Sequence, residues 1–318
     1  MRKKSLLILV LSLFFITSAC GSLAERMDVR VAVIKGPSGM GAARLMSENE
    51  AGNTENAYVL TVSGAPDAVV AGLLTGEYDV AALPTNAIAM LHAKTGGEVQ
   101  CLAVSTLSNL YLLGRENIIS SIFSPVLNLA DLSIVCAGQG TTVQATVERL
   151  LQRAGNIHYV SEHTEAVAQA AIGKYDYVIL PEPFVTILLK QDANFGILTD
   201  IGDLWREQGL GELPMGGVAV RKAFADENSK AVETFLKEYA QSVFYAKYYP
   251  EAAAPLMEQY DILPAGIAIE AIPRANMTFV SGGEMKELLL PYYQVLMEVN
   301  PNLIGGELPG DEYYYRAP

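Results

Sequence analysis

The chain has 318 residues, 51% of them apolar, with a net charge of −13 and a mean hydropathy of +0.24. So acidic a surface argues against a nucleic-acid partner, and the three cysteines show no metal-type spacing. The length suffices for two domains of ordinary size.

The chain opens on Arg2, Lys3 and Lys4, an apolar run from Leu6 to Ile16, and then Thr17-Ser18-Ala19-Cys20-Gly21. A basic segment, a short apolar run and small residues before a cut form a secretory signal, residues 1–19. The run is too short to span a bilayer as a stable helix, and no later stretch approaches twenty apolar residues. Cys20 sits as in a bacterial lipobox, where the cysteine is lipidated and becomes the mature N-terminus; an ordinary secretory cut with Cys20 incidental is the alternative. Residues 20–27 then form a lipidated tether, and acyl chains on it would anchor a folded domain at a membrane surface. Removing residues 1–19 takes away three basic and no acidic charges, so −13 becomes −16. Cys101 and Cys136 each lie in an apolar run and read as buried thiols rather than a disulfide.

The first predicted strand, Asp28–Lys35, breaks at Gly36-Pro37-Ser38-Gly39, and a predicted helix over Gly41–Asn49 follows at once. Three glycines within six residues strip this helix start of bulky side chains. Free N–H groups and the positive dipole end there make a receptor for an anionic or polar group. Strand Tyr58–Ser63 and a helix from Pro66 to Gly76 come next, then a buried-type strand from Tyr78 to Pro84. Thr85 or Asn86 caps a helix through His92, stopped by Gly96-Gly97, and Val99–Leu107 is a fourth strand. Strands alternating with helices of about ten residues mean an α/β fold with a mostly parallel sheet.

The rhythm resets at strand Leu110–Arg115. A helical turn over Asn128–Leu132 leads into strand Ser133–Ala137, the turn Gly138–Thr142 and a helix to Ala154. Helix Glu165–Gly173 precedes Tyr175–Pro181, which echoes Tyr78–Pro84 as a weak internal repeat. Gly216–Arg221 reads as a strand at one edge of the second lobe. Helices follow over Asn228–Tyr248, Pro250–Tyr260, Ile267–Ile272 and Gly283–Glu298, and the aromatic tail Leu308–Pro318 packs down. Three strand-to-helix turns, at Ser38, at Pro84-Thr85-Asn86 and at Gly138–Thr142, suggest one pocket lined by loops beyond the carboxyl ends of the strands.

This order of pieces resembles the type II periplasmic binding proteins. It is similar in particular to the substrate-binding lipoproteins of nitrate/sulfonate/taurine-type and thiamine-precursor ABC importers. The residues that carry the resemblance are Thr17–Cys20, Val31–Pro37, Leu74–Ala81, Leu129–Leu132, Leu180-Pro181-Glu182-Pro183-Phe184 and Val218–Phe224 with Asp226-Glu227-Asn228. The family's Lys-Gly-Lys after Leu132 is replaced here by Ser133. The resemblance implies a Venus-flytrap fold: lobe 1 from residues 28–107 plus 225–318, lobe 2 from 108–224. Each lobe is a mostly parallel sheet flanked by helices, with hinges near Ser105–Asn109 and Arg221–Asp226.

Ser38, Gly39 and Met40 are the first candidates for ligand contact, through backbone N–H groups and the Ser38 hydroxyl; a plain tight turn is the alternative. Ser63, with Gly64, adds a donor at the end of the second strand. Thr85 and Asn86 either contact ligand or only cap their helix. Gln139, Thr141 and Thr142 are the second lobe's counterparts of Ser38–Met40. Glu182 lies at a strand end between two prolines; facing the cleft it would favour a cationic or donor-rich ligand, and otherwise it is a solvated loop acid. Asn276 and Phe279 either close over the cleft or form a packed connector. Trp205 and the tyrosines at 111, 175 and 177 read as packing. His92, His158 and His163 are scattered, with no nucleophile or metal ligand to pair with.

The expected function is that of an exported receptor, anchored to the outer face of the bacterial cytoplasmic membrane. It captures a small polar solute and delivers it to an ABC permease and ATPase, as a monomer with no catalytic residue, cofactor or metal. Two readings stand beside it: an enzyme of the same fold acting on a pyrimidine or menaquinone precursor, and an exported solute sensor. The ligand is nitrate/sulfonate/taurine-like if the glycine-rich turns decide it, and pyrimidine- or amine-like if Glu182 does.

Overall fold

The computed structural model describes residues 26–115, 132–151 and 156–317. The signal segment and Cys20 lie outside the described residues, as do residues 128–131 of the expected helical turn. Two sheets build two lobes. The first has six strands in the order β11-β4-β10-β3-β1-β2: β1 (Asp28–Ile34), β2 (Ala57–Ser63), β3 (Val80–Pro84), β4 (Val99–Thr106), β10 (Gly216–Arg221) and β11 (Met277–Ser281). The second has five in the order β7-β6-β8-β5-β9: β5 (Leu110–Arg115), β6 (Ser133–Ala137), β7 (Asn156–Val160), β8 (Tyr177–Pro181) and β9 (Phe195–Asp200). In each lobe three parallel strands carry the βα turns, and antiparallel strands complete the sheet. The sequence echo between Tyr78–Pro84 and Tyr175–Pro181 has a structural meaning, since β3 and β8 are equivalent strands of the two sheets.

The helices are α1 (Pro37–Glu50), α2 (Pro66–Thr75), α3 (Thr85–Thr95), α4 (Thr142–Leu150), α5 (His163–Ala171), α6 (Phe184–Gln191) and α7 (Ile201–Glu207). The return to the first lobe brings α8 (Lys222–Glu227), α9 (Ser229–Tyr248), α10 (Pro250–Gln259), α11 (Ala265–Ala271) and α12 (Gly283–Val299). Among the described residues no helix is long and apolar enough to cross a membrane.

Two expectations are corrected. Gly216–Arg221 is not an edge of the second lobe: β10 lies inside the first sheet, antiparallel between β3 and β4. Its Gly-Val-Ala-Val core is buried on both faces, a pattern that suits any central strand and names no sheet. The second crossover therefore precedes Gly216. The stretch around Asn276 is not a bare connector either, since Met277–Ser281 pairs with β4 as the sheet's edge strand. The aromatic tail does pack down: Tyr313, Tyr314 and Tyr315 are buried, and Tyr315 N–H donates to Cys101 O at 2.9 Å.

The lobes do not meet only at their crossovers. One apolar core runs from Ala32 and Leu73 of the first lobe through Leu289, Tyr292 and Leu296 of α12 to Ile134, Cys136 and Trp205 of the second. Trp205 and Tyr292 meet edge to face with ring centres 5.9 Å apart. The first sheet is tied at its far end by Asp79, which receives Arg30 Nε at 2.9 Å and Arg221 Nη2 at 2.7 Å. That carboxylate joins the amino end of β3 to β1 and to the carboxyl end of β10. Burial opposes its ionised form, but the two arginines outweigh burial and hold it below its usual range.

Candidate functional site

The crossover from β4 to β5 spans only residues 107–109, and the carboxyl ends of β1, β3 and β4 converge beside it. There a cleft of about 170 Å³ is lined by Lys35, Pro37 and Ser38 after β1, Leu83 and Pro84 on β3, Ser105 and Thr106 on β4, Asn109 at the crossover, and Met215-Gly216 leading into β10.

The turn after β1 is built by glycine. Gly36 has φ +113°, which an L side chain rarely adopts, and Pro37 opens the helix. Met40 N–H donates to Gly36 O at 2.8 Å, so helical bonding begins there. The N–H groups of Ser38 and Gly39 have no partner among the described residues and stand at the positive end of a fourteen-residue helix. A Cβ on Gly39 would sit 2.9 Å from Ile34 O and 3.1 Å from Ile262 Cγ2, so the close approach of α1 to β1 requires glycine. The Ser38 hydroxyl is occupied, donating to Ile34 O at 3.0 Å. The Ser38 carbonyl accepts from the Tyr239 hydroxyl at 3.2 Å, which fixes the turn from below.

Ser105 is 2% exposed and its hydroxyl has no hydrogen-bond partner. The Tyr239 phenol lies near enough to be influenced by it but outside hydrogen-bonding geometry. A buried donor left open costs about 1–3 kcal/mol, and this one belongs to a cleft-lining residue while its oxygen itself is out of contact with solvent. The cleft lining carries one cation, Lys35, whose Nζ pairs with Asp261 at 2.8 Å on the rim, and no carboxylate among the described residues.

The remaining sequence candidates lie elsewhere. Met40 is behind the turn, its side chain wholly buried in the core. Ser63 closes a local turn, its Oγ accepting from Ala65 N–H at 3.2 Å. Thr85 is buried and donates to Pro214 O at 2.6 Å, while Asn86 donates to Leu303 O at 3.1 Å; both pin chain segments together. In the second lobe Thr141 caps α4 through Val143 N–H, Gly140 N–H is taken by Gln144 Oε1, and Gln139 N–H by Val160 O. Thr142 faces Tyr292 of α12. Asn276, at φ +46°, donates to Ser108 O and accepts Leu107 N–H at 3.1 Å, which splints the crossover. Phe279 packs edge to face on Tyr239.

Glu182 is neither solvated nor open to a ligand. It is 2% exposed and receives Arg274 Nε at 2.5 Å, Thr186 Oγ1 at 3.0 Å and Thr186 N–H at 3.2 Å. Ser105, Thr106 and Asn109 are the cleft residues that site reasoning from the sequence missed. Their signal was a polar pair ending an apolar strand just before the crossover.

A family model described as menaquinone biosynthesis matches residues 45–278. No curated protein matches the chain in sequence. Among solved structures the chain is similar to an ABC transporter protein from Parabacteroides distasonis, 22% identical, with TM-score 0.78, covering 91% of this chain and 99% of that one. It is also similar to the periplasmic aliphatic sulphonate binding protein SsuA from Escherichia coli, 18% identical, with TM-score 0.68, covering 88% and 96%. The periplasmic nitrate-binding protein NrtA from Synechocystis PCC 6803 follows at 13% identity and TM-score 0.56, covering 90% and 83%. At these identities the likeness establishes a shared two-lobed fold, as the sequence resemblance implied.

Proposed function

We propose that this chain, which belongs to the menaquinone-biosynthesis family, works as an exported, lipid-anchored receptor that captures a small anionic solute between its lobes for an ABC permease. The observation that carries this reading is the donor set beside the cleft: the unpartnered N–H groups of Ser38 and Gly39 at the start of α1, and the buried Ser105 hydroxyl without a partner. Such a set favours a carboxylate, sulfonate or similar oxyanion, because each donor lacks an acceptor until ligand arrives. With Glu182 already neutralised by Arg274, the residue that would have favoured an amine is withdrawn. A cleft of about 170 Å³ fits a small solute better than a drug-sized one, whose pockets run from about 300 Å³ upward. The cleft is lined by the first lobe and the crossover segments, so closure of the second lobe over bound solute would supply the form that a permease recognises.

A second reading is an enzyme of the same fold acting on a menaquinone or pyrimidine precursor, and the family match itself favours it. Thermal-shift screening against sulfonates, nitrate, bicarbonate, aromatic carboxylates, aminopyrimidines and guanidines separates the two, if each hit is then incubated with the protein alone and followed by mass spectrometry. The receptor reading expects an anion to raise the melting temperature and to be recovered unchanged. Conversion of the hit without added partners contradicts it.

A further inference from the structure

The exposed large apolar side chains are mostly scattered singly, but three of them fall within six residues at the end of α9: Phe244, Tyr248 and Tyr249, each more than half exposed. Phe244 and Tyr248 share a helix face with ring centres 4.5 Å apart, and Tyr249 packs beside Tyr245 at 5.4 Å. Two cations edge the patch: Arg44 lies over the Tyr245 ring at 4.7 Å and Lys247 over Tyr248 at 5.8 Å. Aromatic rings with a polar tip, flanked by long cationic side chains, suit the boundary between lipid headgroups and acyl chains.

The entry of the chain is linked to Tyr245, the ring beside Tyr249, through one groove. Arg26 bonds Asn49 Oδ1 at 3.1 Å and also Thr54 Oγ1, and Thr54 shares one groove with Arg44 and Tyr245. From Cys20 to Arg26 the chain reaches at most about 20 Å when fully extended. A lipid on Cys20 would thus tether the protein to the bilayer from the first lobe, within about 20 Å of Arg26.

We infer that the Phe244–Tyr248–Tyr249 patch docks on the lipid surface as a second, non-covalent membrane contact that orients the anchored receptor. The inference rests on the lipid-anchor part of the proposed function. Acyl chains on Cys20 hold the protein at the surface but leave its orientation free; a shallow aromatic contact adds the missing constraint.

The test uses the full-length lipoprotein reconstituted in phosphatidylethanolamine–phosphatidylglycerol vesicles, with and without brominated acyl chains, and read by tryptophan emission. Trp205, wholly buried, is the internal reference. Emission added by Phe244→Trp is expected to fall roughly twofold on brominated lipid, the response of a ring at the acyl boundary. Ile172→Trp, at an exposed site on the second lobe, is expected to stay unquenched. Equal emission from the two variants on vesicles that carry the floated protein would overturn the docking while leaving the anchor intact. Failure of the protein to float with the vesicles overturns the anchor itself, and the docking with it.

Discussion

Arg274, just after α11 in the first lobe, donates from Nε to Oε1 of Glu182 at the end of β8 in the second lobe, at 2.5 Å. Its Nη2 reaches Thr186 Oγ1 at 2.7 Å, and its carbonyl accepts the Tyr111 hydroxyl at 2.9 Å. Burial pushes the Glu182 carboxyl up, against the opposing pull of Arg274 and Thr186. Together these bonds hold the two lobes beside their first crossover.

Removing the cation alone leaves a buried carboxylate unpaired. Arg274→Met should cost on the order of 3 kcal/mol, and Glu182→Gln combined with Arg274→Met should recover much of that loss. Chemical denaturation of the two variants checks it. Lys190→Ala, at the half-exposed pair with Glu270 nearby, should cost less than about 1 kcal/mol.

Asp79 gives an acid-limb prediction. Its folded carboxyl sits below the ordinary range, so the stability it adds is fully present above the unfolded pKa and is lost as pH falls through the folded value. Asp79→Asn should lower stability by about 2–3 kcal/mol at neutral pH and flatten the decline below roughly pH 4. Melting temperatures taken from pH 7 to pH 3 decide this; parallel curves for the two proteins would refute it.

His163 lies against Phe184 with its buried Nδ1 lacking a partner, and burial lowers its pKa to about 4. The unfolded chain takes up that proton near pH 6.5 and the folded chain does not. Stability should therefore fall as pH drops from about 6.5 to about 4, by up to about 3 kcal/mol. His163→Gln should remove this slope while leaving the Asp79 limb in place.

Local contacts are legible in the sequence, and remote ones are not. The βα units, the Ser38–Gly39 turn and the β3/β8 echo are local patterns of period and glycine placement, and they survive in the structure. The sheet that β10 joins is a tertiary choice between two equally apolar partners, which no local pattern encodes. The place of Glu182, neither in the cleft nor solvated, is illegible for the same reason, because its partner Arg274 is 92 residues away. Turn chemistry offers Thr85 and Asn86 equally as ligand contacts or helix caps, yet their side chains donate to Pro214 O and Leu303 O in remote parts of the chain.

The central claim, an oxyanion held by the α1 start and the Ser105 hydroxyl, is tested most directly by calorimetric titration of the best anion hit into wild-type protein and Ser105→Ala. Deleting an unpartnered buried hydroxyl should leave the ligand-free melting temperature unchanged or slightly higher. Loss of its bond to a charged ligand should weaken affinity by about 1.5–3 kcal/mol, roughly 10- to 150-fold. Unchanged affinity in Ser105→Ala, with the protein equally stable, would contradict the account and move the ligand away from this cleft.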